Sequence, residues 1–238
     1  MTTRRHLHPS RLLRTMVLVG WAAFFAYLYL SREMTRYLGP RTYWVVPFGA
    51  ALLGIAVVAH VPGLRSSEAA PRPSRREVIG HVVLIAPLLA ALVVPAPALG
   101  ALAANKKSTG GGLATVSSVV PPDPSAGREV RFLEIHYANE SQEFADAIGI
   151  VDGYEVSLVG FVGQPTATPE GAFDLTRFYV SCCAADAIPY SVMVVDGPRA
   201  PIDTWLRVTG HLERRNSTFV LVPDAIDWIG EPKDPYLY

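Results

Sequence analysis

Three stretches of this chain carry no Asp, Glu, Lys or Arg at all: Thr15–Ser31, Thr42–Leu64 and Val78–Asn105, of 17, 23 and 28 residues. A run of roughly 17–25 apolar residues is what a helix needs to cross bilayer hydrocarbon, where no water solvates an ion or an open backbone. The pattern predicts a transmembrane helical region over 1–104, with helices near 13–31, 42–64 and 78–104. The first is short, and Arg14 can snorkel from its end to the headgroups. The third is over-long and holds Pro87, Pro95 and Pro97. Its regular part is expected to stop near Val94, with 96–104 at the interface or continuing as a broken segment.

Charge separates the chain into unlike halves. Residues 1–104 hold eleven arginines and three acids, a net +8, whereas 105–238 hold ten basic and eighteen acidic residues, a net −8. Such asymmetry points to a membrane-facing portion. Half the residues are hydrophobic and only two are cysteine, which excludes a disordered chain and a disulfide-stapled mini-protein.

Eight arginines (Arg4, Arg5, Arg11, Arg14, Arg65, Arg72, Arg75 and Arg76) oppose five basic residues (Arg32, Arg36, Arg41, Lys106 and Lys107) across the three helices. That margin places the N-terminus in the cytoplasm and the C-terminal domain outside, and an even number of helices would reverse it. Ala101-Leu102-Ala103-Ala104 also resembles a small-residue cleavage site, and a cut there would free the acidic half. Ala22 with Ala26, and Ala50 with Gly54, are small pairs four apart that let helices approach closely. His60 and His81 fall near the cytoplasmic face, close enough to share a site. No charged relay crosses these helices, so they read as an anchor, or as a subunit docking on a larger permease, in contact with membrane lipid.

Residues 105–128 read as a flexible linker: Gly110-Gly111-Gly112 and Pro121-Pro122-Asp123-Pro124 flank Ser and Thr, with no Walker-type Lys and Ser/Thr after the glycines. Residues 129–238 read as one extracytoplasmic, β-rich domain. Val130–Ile135 is expected as a strand and Asn139–Ile148 as an acidic amphipathic helix capped by Asn139 or Ser141. Val156, Leu158, Gly160 and Val162 then alternate, as do Leu206, Val208, Gly210 and Leu212, with glycine at the same step of each strand. Further strands fit Phe173–Ser181, Tyr190–Val195 and Ser217–Ile226, with a turn at Arg215-Asn216. Five short strands, two bent by glycine, predict a small OB-like barrel, with a β-sandwich as the alternative. OB-folds often bind nucleic acid, but an acidic domain lacks the positive groove phosphates require, so no nucleic-acid partner is expected.

The only cysteines are adjacent, Cys182 and Cys183, in Ser181-Cys182-Cys183-Ala184-Ala185-Asp186-Ala187. They follow a strand and precede what reads as one helical turn before Pro189, whose amides would stabilise thiolate. Three readings stay open. The pair contacts substrate or a thiophilic divalent metal such as zinc, completed by Asp186, His136 or His211. Alternatively it is a strained, easily reduced vicinal disulfide of a membrane-tethered thiol oxidoreductase. In the third, the sulfurs pack in the core of a structural envelope module. No Gly-x-Ser-x-Gly elbow, His-Glu-x-x-His helix or metal-type Cys-x-x-Cys is present, so no catalytic residue is assigned and the chain reads as non-catalytic. Glu140, Glu143 and Asp146 read as a solvated helix face.

The membrane helices, the Arg177-Phe178-Tyr179-Val180-Ser181-Cys182-Cys183-Ala184-Ala185-Asp186-Ala187 stretch and the Pro235-Tyr236-Leu237-Tyr238 ending together resemble the YcgQ-like permease-subunit family of bacterial membrane proteins. The resemblance covers essentially the full chain, and the Cys-Cys-Ala-Ala-Asp-Ala element is its specific part. It implies a multi-pass protein of the bacterial plasma membrane. Such a protein would be an accessory subunit beside a separate multi-helix permease, in a system that responds to metal. Members with a His- and Cys-rich loop after the second helix differ from this chain, whose Arg65–Glu77 loop has neither residue. That leaves Cys182, Cys183 and Asp186 as the contact candidates.

Overall fold

The computed structural model describes residues 6–7, 9–66, 73–93, 98–109, 130–163, 171–198 and 200–238. The chain forms two compact units, residues 1–96 and 97–238. The glycine- and proline-rich linker stretches lie outside the described residues.

In the first unit, helix α1 spans Pro9–Ser31 and helix α2 spans Val45–His60, the latter entered through a 3-10 turn at Pro40–Thr42. Pro9–Ser31 and Pro40–His60 are the two runs that, by length and composition, could cross a membrane among the described residues. Their large apolar side chains face outward: Leu30, Ile55 and Val58 are 79, 68 and 71% exposed. Water would penalise that much uncovered apolar surface, whereas lipid would not. Helix α3, Arg75–Val93, continues through Pro87. Pro87 can donate no hydrogen bond to its own helix, and Trp21 of α1 donates to the adjacent Leu84 carbonyl at 3.1 Å.

Close contacts among these helices are made by glycines other than Gly54 of the expected pairs. A Cβ at Gly20 would stand 3.1 Å from Leu88, and one at Gly49 would stand 3.3 Å from the Phe25 ring, whereas Gly54 faces open space. His60 and His81 each turn to the carbonyl four residues back on their own helix, Ala56 and Glu77. Neither joins a ligand set among the described residues.

The second unit begins with a correction. Helix α3 stops at Val93, as the prolines predict, but the broken remainder of 78–104 re-forms as helix α4, Ala101–Thr109, which crosses the predicted linker boundary at 105. Ala101 and Ala104 are nearly fully buried against Phe161, Phe178, Val180, Ala187, Trp205 and Tyr236. An alanine-rich turn offers high helix propensity and a flat face that fits against rings. Its first amide, Ala101 N, donates to Asp203 Oδ1 at 2.6 Å. A Cβ on Gly100 would meet that same carboxylate, so a larger residue there would push the Asp203 cap aside.

A second correction concerns Val130–Ile135. The segment is not a strand but the start of helix α5, Phe132–Glu140, followed by helix α6, Gln142–Ile148. Six residues of mixed pattern could not decide between the two states; side-chain capping and burial do. Glu134 reaches back to the Arg131 amide at 3.0 Å, and Phe132, Leu133, Ile135 and Ala138 all enter the core. Ser141, one of the two expected caps, breaks the helices and accepts from Phe144 N at 3.2 Å. Asn139, the other, accepts instead from Phe219 N at 2.7 Å and ties α5 to the barrel.

Five strands follow: β1 Tyr154–Val162, β2 Phe173–Tyr179, β3 Ile188–Val194, β4 Trp205–Arg215 and β5 Thr218–Trp228. They close in the order β1-β2-β3-β5-β4. β1 runs antiparallel to β4 from Tyr154↔Leu212 to Phe161↔Trp205, then transfers to β2 at Phe161↔Thr176 and Val162↔Leu175. β2 and β3 are antiparallel, β3 meets β5 in parallel at Val194↔Leu221, and β4–β5 is a hairpin. A closed five-stranded barrel with this crossover is consistent with the expected OB-like domain. The hairpin turns at Asn216 and Ser217, both with positive φ, one residue later than expected.

Both alternation-breaking glycines sit at close approaches. A Cβ on Gly210 would overlap Val222 O and stand 2.9 Å from Pro223 Cα. The β4–β5 register slips there, between Thr209 and Gly210. A Cβ on Gly160 would lie 2.7 Å from Thr176 O and 3.0 Å from the Phe132 ring. That is where β1 changes partner and α5 plugs the barrel.

Candidate functional site

The two cysteines fall on the short connection between β2 and β3, a turn pinned at both ends. Val180 and Ala187, which flank it, are 1% and 2% exposed. The C-terminal tail holds the entry: Leu237 N donates to Phe178 O at 2.7 Å, and Val180 N donates to Leu237 O at 3.0 Å. Arg177, on β2, reaches the same tail through the carbonyls of Asp234 and Pro235. The Pro235-Tyr236-Leu237-Tyr238 ending thus acts as a clasp beside the thiol turn. At the far side Lys107 of α4 donates to Ala185 O at 2.9 Å.

Within this frame Ala184–Asp186 form a single 3-10 turn, as the sequence suggested. One of its amides, Asp186 N, donates to Cys183 O at 3.0 Å and turns toward the Cys183 side chain. The Asp186 carboxylate folds back and accepts from Ser181 N at 3.2 Å, Cys182 N at 2.7 Å and Cys183 N at 3.4 Å. Burial disfavours the charged form of Asp186, but these three amides and the Cys182 thiol outweigh it and hold its pKa below the usual carboxylate value.

That arrangement reverses the expected effect on the nucleophile. The Cys182 thiol, hydrogen-bonded to Asp186 and then to Cys183, is pushed up to about 12. A carboxylate supplies an acceptor for S–H and a negative charge that opposes thiolate, so at Cys182 the Asp186 side chain outweighs the acidifying effect expected of the turn. Cys182 Sγ lies 3.7 Å from Cys183 Sγ, and no disulfide joins them. Cys182 is exposed and Cys183 half-buried, so neither sulfur lies in the fully buried barrel core.

The structure therefore brings Cys182, Cys183 and Asp186 together, with Asp186 serving the backbone. It does not add a histidine. His136, on α5, sits with its Nε2 at 3.3 Å from Glu140 and its ring centroid 5.0 Å from that of Tyr190. His211, on β4, lies 3.6 Å from both Glu213 and Asp224. Among the described residues no three His, Cys, Asp or Glu side chains are gathered to hold a metal ion.

Sequence reasoning missed Lys107 and the clasp. Lys107 sat in an assumed linker, and the clasp was visible only as a terminal motif with no assigned partner. A separate cavity of about 460 Å³, walled by Leu99, Phe161 and Trp205 at the start of α4, also escaped it. Its Asp203 is committed to capping that helix.

The family model described as the DUF1980 C-terminal domain matches residues 118–238, which takes in the barrel, the thiol turn and the clasp. No curated protein matches the chain. On that match the chain belongs to the DUF1980 C-terminal domain family.

Proposed function

We propose that this member of the DUF1980 C-terminal domain family is a non-catalytic accessory subunit of a bacterial membrane permease system, of the YcgQ-like kind. Three helices anchor it, with α3 as the third, the N-terminus in the cytoplasm and the barrel outside. Cys182 and Cys183 contact the transported species or a thiophilic metal. The observation that carries the reading is the thiol pair, Cys182 exposed and Cys183 half-buried, on a short turn of an acidic barrel, in a chain whose described helices expose apolar faces.

The thiol-oxidoreductase alternative is weaker, because thiol–disulfide exchange proceeds through thiolate and Cys182 is held protonated. The structural-module alternative does not account for an exposed Cys182 sulfur beside a half-buried Cys183. Affinity purification from the native membrane should recover a multi-helix permease. Replacing both cysteines with serine should abolish transport by that partner while the chain still inserts and folds. Transport that proceeds unchanged in the double variant would remove the mechanism.

A further inference from the structure

We infer that Cys182 and Cys183 form a two-sulfur site for arsenous acid, a trivalent thiophilic oxyacid; the inference rests on the reading of this pair as the contact for the transported species. Geometry comes first. The sulfurs stand 3.7 Å apart, well beyond the ~2.05 Å of a disulfide. A linear two-coordinate ion bound at about 2.3 Å to each sulfur would need them about 4.6 Å apart. The separation is that of a bent bite, offered by a turn that needs no further ordering.

Ligand count comes next. A tetrahedral dication would find two of its four ligands here, since both Asp186 oxygens accept from backbone amides. A pyramidal trivalent centre needs three ligands, two sulfurs and a hydroxyl of its own. The turn supplies what such a centre lacks.

The proton balance points the same way. Arsenous acid and the two thiols exchange two As–O and two S–H bonds for two As–S and two O–H bonds. The leaving hydroxyls depart as two waters, arsenic stays trivalent, and no oxidant or reductant is consumed. Reactants and product are all neutral, so the step builds no negative charge beside Asp186. A dication must instead displace both thiol protons into solution, so its binding weakens as pH falls. Asp186 and the neighbouring thiol bear on the Cys182 sulfur, and the Lys107 ammonium meets Ala185 O on the same turn.

The test is equilibrium dialysis of the full chain in detergent against sodium arsenite alone or zinc alone, at pH 6 and pH 8, with elemental analysis. The expected result is one arsenic per chain at both pH values, lost in Cys182→Ser and in Cys183→Ser, with both variants melting like the parent. Zinc should be held about tenfold more weakly than arsenic, and more weakly still at pH 6. No retained arsenic, retention equal in the serine variants, or zinc held more tightly than arsenic would each overturn the inference. The measurement needs no permease, so its failure is separate from failure of the accessory role, which co-purification and transport judge.

Discussion

The role of Asp186 can be tested by Asp186→Asn in a Cys183→Ser background, where one sulfur remains. Its carboxylate is the leading cause of the Cys182 thiol lying at about 12. Asparagine removes the negative charge and points an amide donor at the turn, so thiolate becomes easier to form and the pKa falls toward the ordinary thiol value of about 8.5. A full return over some three units would multiply the thiolate fraction at pH 8 by about a thousand. Cys182 is solvent-exposed, and water screens the carboxylate, so a gain of at least about tenfold is the realistic floor. Iodoacetamide alkylation of the full chain in detergent, followed from pH 7 to 11, reads this directly. The Asn variant should react faster at pH 8, with its rate–pH midpoint moved down. An unchanged midpoint, or one moved up, would refute the assignment of Asp186 as the group that keeps the sulfur protonated. The same carboxylate links the turn to acid. Its pKa is lowered by folding, so its contribution is present above the unfolded value of about 3.9 and is lost as pH falls through the folded value.

Other consequences follow from the barrel. Gly210→Ala drives a methyl into Val222 O and Pro223 and should cost about 1–3 kcal/mol or more, seen as a lowered urea midpoint. Leu237→Ala removes a clasp residue that is 8% exposed; about 2–4 kcal/mol should be lost, with faster amide exchange at Val180. Tyr190 carries a buried hydroxyl without a hydrogen-bond partner, and burial pushes its pKa to about 12. A folded value above the unfolded one of about 10 means stability falls as pH rises from about 10 to 12. Tyr190→Phe should flatten that fall and leave neutral-pH stability equal or higher, measured by denaturant titration at pH 7 and pH 11.

The architecture was largely legible in the residues because the bilayer and the pleat impose short, regular patterns. Charge-free runs located α1 and α2, and period-two alternation located β1 and β4 to within a few residues. Gly160 and Gly210 announced close backbone approaches before either partner was known. The misreadings cluster where the pattern is short and the deciding contact is distant in sequence. Val130–Ile135 is a helix because Glu134 caps it and the barrel floor receives Phe132 and Ile135. Ala101–Thr109 is a helix because Asp203, a hundred residues on, caps its first amide.

The amino-acid order by itself determined that the front of this chain is apolar and arginine-flanked, that its rear is an acidic set of short strands, and that two thiols are neighbours. Those are local properties, carried by hydropathy, period and adjacency. Only the tertiary structure decided how the thiols stand: Cys182 exposed and Cys183 half-buried, on a turn flanked by the terminal clasp and α4, with the Asp186 carboxylate favouring the Cys182 proton. The reason is geometric. Whether the Cys182 thiol meets the Asp186 carboxylate depends on backbone angles that β2, β3 and the clasp impose together, and no spacing rule along the chain encodes them.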